Sequence, residues 1–245
     1  MPTRRPDRPV RTAKSAKSDG QIFWLSDRAL HIDLTGGGWS ASLIIVVQDA
    51  LNTATHEAQW PAHEWMLADC SLTCVFNEGI KSHSDFQQYA ALLRSVLDHS
   101  LAQPLAPGVS QAAPREHVIA VRYGPEFGAD FSAVCKHLNC SPEHLVSLHT
   151  SAMYTVEFLG FLPGFAYLSG TASALHLPRM STPRSRVPAG SVAVAAGYCA
   201  VYPQACPGGW HLLGVTNHTL FDPNHNPPAQ LQPGDVVRFV EASHA

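Results

Sequence analysis

From Tyr154 onward the chain offers only short apolar runs, separated by strings rich in proline and glycine: Gly160-Phe161-Leu162-Pro163-Gly164-Phe165, Pro183-Arg184-Ser185-Arg186-Val187-Pro188-Ala189-Gly190-Ser191 and Pro207-Gly208-Gly209-Trp210. Proline fixes φ and removes a hydrogen-bond donor, while glycine admits turns and close backbone approaches closed to other residues. Such strings break any long helix. The runs at 155–159, 191–195, 199–202, 211–215 and 236–240 therefore read as short strands, and together they predict a closed or nearly closed β-barrel.

The same region has an unusual charge pattern. No Asp or Glu lies between Glu157 and Asp222, whereas Arg179, Arg184, Arg186, His176, His211 and His218 all do. At the chain's average frequency a stretch of this length would hold about five acids, so the pattern predicts a surface that receives an anion. A barrel that merely needs turns and buries acid-free strands explains any one of the strings equally well. Three strings inside one acid-free segment favour a binding surface.

The 245 residues suffice for two domains of ordinary size with real cores. The formal net charge of −3 hides an asymmetry: Arg4, Arg5, Arg8, Arg11, Lys14 and Lys17 stand against Asp7 and Asp19 in the first twenty residues, leaving ten basic and seventeen acidic residues elsewhere. Residues 1–20 carry no apolar run, and their composition predicts a disordered basic tail rather than a secretory signal. An acidic body argues against a general nucleic-acid binder. No apolar segment approaches bilayer-spanning length. Six cysteines without CxxC spacing fit a reducing cytoplasm, and Cys70 and Cys74 share one strand face without a second ligand pair for zinc.

Residues 21–102 read as a small α+β domain. Strands are expected at 22–25, 29–34, 64–68 and 72–76, with a helix over 40–58. A second helix, capped by Ser84 or Asp85, places Phe86, Tyr89, Ala90, Leu93, Val96 and Leu97 on one face. Residues 103–115, with Pro104, Pro107, Gly108 and Pro114, have linker composition. Beyond them a strand is expected at 118–123, a short helix capped by Asp130, and another opened by Ser141-Pro142-Glu143 and ending near Thr150.

Several residues of 116–245 now carry a recognisable pattern. They are His149-Thr150-Ser151-Ala152-Met153-Tyr154, the run Phe158 to Leu168, Pro178-Arg179, Pro183-Arg184, Val187 to Ser191, Tyr202-Pro203, Pro207-Gly208-Gly209-Trp210, Leu220-Phe221-Asp222-Pro223 and Pro233-Gly234-Asp235, with Ser26-Asp27-Arg28-Ala29-Leu30 near the start. The pattern resembles the KipI/allophanate hydrolase subunit 1 family, whose members include a component of ATP-dependent 5-oxoprolinases. The resemblance implies a ferredoxin-like α+β domain followed by a cyclophilin-like barrel of the carboxyltransferase type. It also implies ATP-driven opening of 5-oxo-L-proline to L-glutamate, shared with a homologous KipA or C-type subunit and an A-type subunit. Inhibition of a sensor histidine kinase and a carboxyltransferase role in a biotin-dependent urea or amide carboxylase are the other activities it implies. Departures from the pattern, among them Cys206 for Ser and Ala166 for Pro, bear on the substrate.

The chemistry of such a reaction selects candidate residues. Arg179 and Arg184 suit a catalytic clamp on carboxylate or phosphate, because guanidinium stays ionised and its planar fork pairs two oxygens; Arg186 is a further binding candidate. His149, ending a helix just before the barrel, suits a general base, although a histidine chosen by position alone is more often a helix cap or a core side chain. Gly190-Ser191 and Pro207-Gly208-Gly209 offer backbone N–H groups to an oxyanion. Phe161, Phe165, Tyr167 and Trp210, with the Pro163-Gly164 turn, wall a pocket or simply pack a core. No P-loop and no biotin-attachment motif occur, so ATP with Mg2+ is expected at a site shared with the partner, Glu126 being the nearest candidate for magnesium.

Overall fold

The computed structural model describes residues 21–34, 41–69, 71–80, 82–102 and 114–242. The basic tail, Cys70 and all but the last residues of the expected linker lie outside the described residues.

The first sheet is built from β1 (Gln21–Ser26), β2 (Ala29–Asp33), β3 (His63–Ala68) and β4 (Ser71–Phe76), with α1 (Ala41–Glu57) before β3 and α2 (His83–Ala102) after β4. All pairings are antiparallel in the order β1-β2-β4-β3. Alternation does the sorting: Leu30 and Ile32 of β2 and Leu72, Cys74 and Phe76 of β4 are buried, and they pack with Ile44, Val47 and Leu51 of α1 and Leu93 and Leu97 of α2. The chain order is ββαββα, not the βαββαβ order of a ferredoxin-like domain; the amino-terminal β1 takes the sheet edge beside β2. The cap of α2 is Ser82, whose Oγ accepts from the Asp85 backbone N–H at 3.1 Å, rather than Ser84 or Asp85.

The second core belongs to a closed barrel. Its strands β5 (Glu116–Tyr123), β6 (Tyr154–Leu159), β7 (Ala166–Ser169), β9 (Ser191–Ala195), β10 (Tyr198–Val201), β12 (His211–Val215) and β13 (Val236–Glu241) run in the order β10-β7-β6-β13-β5-β12-β9, and β9 pairs β10 to close the ring. Between β7 and β9 comes β8 (Arg184–Val187), and between β10 and β12 comes β11 (Cys206–Gly208); these two pair with each other outside the barrel. Sequence pattern alone left β7, β8 and β11 as turns, because strands of three or four residues embedded in Pro/Gly strings show no alternation.

Two short helices, α3 (Phe131–Leu138) and α4 (Pro142–Thr150), precede β6. Ser141 caps α4 as expected, its Oγ accepting from the His144 N–H at 3.2 Å. Asp130 stands at the N-cap of α3 but makes no side-chain cap; its carboxylate is used elsewhere.

The barrel interior is filled by Val192, Val194, Cys199, Val201, Leu213, Tyr154, Val156, Val237 and Phe239, among others, and is therefore packed rather than hollow. Strand β9 is buried at every residue, because its odd-numbered alanines face a second layer. That layer joins Ala193, Ala195 and Ala200 on the outer wall to Phe165, Val187, Tyr202, Trp210 and Leu212. The two cores meet where α1 and β3 lie against β6, and the Tyr198 hydroxyl donates to Asp69 Oδ1 at 2.9 Å. Among the described residues no helix is long and apolar enough to cross a membrane.

Candidate functional site

The outer aromatic layer opens into a cleft of about 240 Å³ lined by Phe161, Phe165, Tyr167, Arg179, Met180, Pro183, Tyr202, Pro207, Gly208, Gly209 and Trp210. It is a groove on the barrel's outer wall, bordered by Pro207 and Gly208 of β11 and by Pro183 just before β8. Its base is a lattice of edge-on rings: Phe165 meets Tyr167 at 5.0 Å, Tyr202 at 5.3 Å and Trp210 at 5.7 Å between centroids. Edge-to-face packing sets positive ring edges on negative faces and holds each ring in one orientation.

Backbone geometry shapes this floor at two points. A Cβ at Gly208 would run into the Tyr202 hydroxyl, so only glycine lets β11 cross this close to the phenol. Phe161 takes φ +68°, and the Leu162 N–H donates to the Gly160 carbonyl at 2.7 Å, so the chain reverses within three residues. A bulky side chain is strained in that region. The turn places the Phe161 ring, 60% exposed, at the mouth of the cleft and against Phe165.

Arg179 is the cation of the cleft. Its loop is tied down from both sides: the His211 Nε2–H donates to the Pro178 carbonyl at 2.9 Å, and the Met180 N–H donates to the Gly209 carbonyl at 2.8 Å. The guanidinium itself is exposed and has no ion-pair partner among the described residues. Burial pushes the Tyr167 phenol above its ordinary value, with Arg179 pulling the other way. Burial also pushes Tyr202 up to about 12, helped by the neighbouring Cys206 and Tyr167 and opposed by a hydrogen bond from the Trp210 backbone and by Arg179. Both phenols stay protonated at neutral pH and are hydrogen-bond donors. One guanidinium and two phenols stand beside an aromatic floor, a set of groups that can pair an anion and cover an apolar face.

The remaining sequence candidates fall elsewhere. Arg184 serves the scaffold: its Nη2 pairs with Asp130 Oδ1 at 2.5 Å and its Nη1 contacts the Met180 sulfur at 3.0 Å. Asp130 Oδ2 also accepts from the Leu212 N–H at 2.7 Å, so this acid, 54 residues upstream, pins β8 and β12 together. Arg186 is exposed on β8 and does not line the cleft. Gly190 and Ser191 offer no anion nest, because their N–H groups donate to the carbonyls of Tyr202 at 2.7 Å and Pro188 at 3.4 Å. Pro163 and the buried Gly164 form the turn beside the cleft; Gly164, at φ +76°, lets that turn lie against Leu220 and Phe221.

His149 lies inside the barrel, not in the cleft. It is fully buried, Nδ1 at 2.7 Å from the Tyr123 hydroxyl and Nε2 at 3.3 Å from Cys199 Sγ. Burial pushes it down to about 3, so the imidazole is neutral at any working pH and out of reach of substrate. The expectation of a general base there is corrected: the core reading of this histidine holds. Glu126 is exposed, and no group of three or more potential metal ligands occurs among the described residues. Asp235 fixes a turn, as its Pro-Gly-Asp setting suggested, accepting from the Gln232 N–H at 2.9 Å and pairing with Arg115 and His117.

Sequence reasoning missed Met180, Pro183 and Tyr202 as lining residues and Asp130 as the partner of Arg184. Pro183 and Tyr202 had a signal, in the Pro183-Arg184 and Tyr202-Pro203 pairs of the family pattern; Met180 and Asp130 had none.

Comparison with known proteins bears on this arrangement. The chain is 47% identical over 125 residues to the B subunit of 5-oxoprolinase from Bacillus subtilis (strain 168), covering 51% of this chain and 52% of that protein. It is 49% identical over 122 residues to the protein of the same description from Escherichia coli O157:H7, covering 50% and 56%. The chain thus spans about half the length of the curated relatives it matches. Among solved structures, TTHA0988 superposes with a TM-score of 0.67 at 33% identity over 89% of this chain and 40% of that one. Residues 21–231 match the family described as carboxyltransferase domain, subdomain C and D, a range that takes in the first sheet, every barrel strand but β13 and the cleft between Phe161 and Trp210, and the chain belongs to that family.

Proposed function

We propose that this chain is the B-type component of an ATP-dependent 5-oxoprolinase, which converts 5-oxo-L-proline, ATP and water to L-glutamate, ADP and phosphate together with homologous C-type and A-type subunits. The observation that carries the reading is the cleft itself: aromatic side chains around a space of about 240 Å³, with Arg179 among the lining residues. The similarity to the B subunits of 5-oxoprolinases supports it over the half of the chain that aligns.

The chemistry follows from the lining. The lactam is unstrained, so its hydrolysis needs activation, and phosphorylation of the amide oxygen supplies a better leaving arrangement. Arg179 pairs both oxygens of the substrate carboxylate. Phe165, Tyr167, Tyr202 and Trp210 receive the ring faces and exclude water, and the protonated phenols donate to the polar edge of the ring. The cleft carries no carboxylate for magnesium and a single guanidinium, which does not fit a nucleotide triphosphate; ATP is therefore assigned to the face completed by the C-type subunit. The family's description favours one second reading, a carboxyltransferase component, which requires transfer from carboxybiotin to an amide without 5-oxoproline.

The test is reconstitution of the full chain with its cognate A-type and C-type subunits, followed by phosphate release with and without 5-oxoproline. Arg179→Ala is expected to raise KM by about 100-fold, the loss of a charge-assisted bidentate pair of roughly 2–3 kcal/mol, while Arg186→Ala leaves it unchanged. Absence of 5-oxoproline-dependent hydrolysis in the complete mixture, or equal KM for both variants, removes the reading.

A further inference from the structure

The end of α3 is a Schellman turn. Asn139 adopts the left-handed conformation (φ 50°, ψ 47°), its N–H donates to the Lys136 carbonyl at 3.3 Å, and the Cys140 N–H donates to the Cys135 carbonyl at 3.0 Å. This six-to-one hydrogen bond brings the two residues that flank it side by side, and the motif places a side-chain contact between them that is ordinarily apolar. Here both partners are cysteines. Both thiols are free; Cys135 is buried beneath the turn and Cys140 is half-buried at its surface. Burial pushes the Cys135 thiol above its ordinary value, and the adjacent Cys140 thiol adds to the shift.

The other described cysteines lack this setting. Cys74 and Cys199 are fully buried in the two cores, and Cys206 is alone at the edge of the cleft. A disulfide needs backbones a few ångströms apart, and the six-to-one hydrogen bond of the Schellman turn draws these two residues together.

We propose that Cys135 and Cys140 are a reversible dithiol–disulfide couple, a modification site at the end of α3 that takes a peroxide as oxidant and a low-molecular-weight thiol as reductant. The accessible Cys140 thiolate attacks the peroxide; its S–O bond forms as the O–O bond breaks, and the departing hydroxide leaves as water with the thiol's proton. The Cys135 sulfur then attacks the sulfenic sulfur, forming S–S, breaking S–O and releasing a second water with the Cys135 proton. Two thiols and one peroxide thus become one disulfide and two waters, and two equivalents of a small thiol reverse the step through a mixed disulfide. The link staples the last turn of α3, whose opposite end holds Asp130 on Arg184 and on the Leu212 N–H.

Lys136 lies between the two cysteines, so trypsin separates them into peptides 123–136 and 137–179, each with one cysteine. The full-length folded chain is treated with a small excess of hydrogen peroxide, alkylated and digested without reduction. The expected product is the linked pair 123–136 and 137–179, lost on treatment with dithiothreitol and lost in Cys140→Ser; in Cys135→Ser, Cys140 is expected to accumulate as a sulfenic acid that dimedone traps. If the folded native chain instead yields Cys140 as a separate oxyacid or alkylated thiol with no linked pair, the proposal is overturned. It is equally overturned if the pair forms as fast in urea-unfolded chain as in folded chain, since the turn would then contribute nothing.

Discussion

Acidification should unfold this protein through His149, and the size of the effect follows from its burial. The imidazole is held neutral in the barrel between Tyr123 and Cys199, and desolvation pushes its pKa down to about 3. The unfolded chain binds the proton at the ordinary histidine value near 6.5, so between pH 6.5 and 3 the unfolded state carries a proton that the folded state refuses. The stabilisation is complete above pH 6.5 and is lost as pH falls through that window. Each unit of separation is worth about 1.4 kcal/mol, which gives roughly 2 kcal/mol lost between pH 7.5 and 5.0, a sizeable part of an ordinary domain's stability. Urea unfolding at the two pH values measures it. In His149→Gln, which keeps a hydrogen-bonding side chain without a titrating ring, the loss on acidification should be about 2 kcal/mol smaller than in the native chain. In Tyr123→Phe, which removes one partner at a cost of about 1 kcal/mol but leaves the imidazole, the acid sensitivity should persist. Equal losses in the native chain and His149→Gln would show that this histidine does not govern the acid limb.

Three further outcomes are expected. Asp130→Ala should cost about 3–4 kcal/mol in chemical denaturation and Arg184→Ala clearly less, because the first strands both a partly buried guanidinium and the buried Leu212 N–H, whereas the second leaves a carboxylate still bonded to that N–H. Gly208→Ala should cost about 1–3 kcal/mol by driving a methyl into the Tyr202 phenol, with displacement of that ring visible as altered near-ultraviolet circular dichroism. Phe161→Gly should raise the free energy of unfolding by about 1 kcal/mol, since glycine accepts φ +68° freely and the lost ring is exposed; the same variant should weaken substrate binding in the reconstituted assay, because the ring lies at the cleft mouth.

What could be read from sequence was whatever depends on neighbours along the chain. The barrel strands at 191–195 and 211–215 are short apolar runs bounded by turns, and they occur where expected. The Ser141-Pro142 start of α4 is likewise local. The Asp130–Arg184 pair could not be read, because the acid that faces this acid-free segment comes from 54 residues upstream. The same pair explains why an excess of arginine overstated the site: one of the three guanidinium groups is neutralised from outside the segment, one is on open surface, and only Arg179 reaches the cleft. His149 was misjudged for a related reason, since a histidine at a helix end is capped, exposed or buried according to where the following strand takes the chain.

The position of the cleft was hidden in the small residues. A strand buried on one face would alternate large apolar and polar side chains, but β9 and β10 alternate large apolar with alanine: Val192, Val194, Cys199 and Val201 point into the barrel, while Ala193, Ala195 and Ala200 point out. Alanine on the outer wall leaves room for a second layer of rings to come down onto the sheet, and Phe165, Tyr202 and Trp210 fill that room edge to face. Larger residues at those positions would lift the aromatic layer and close the groove against β8 and β11. The barrel's interior is full because its inward side chains are large; the groove exists because its outward ones are not.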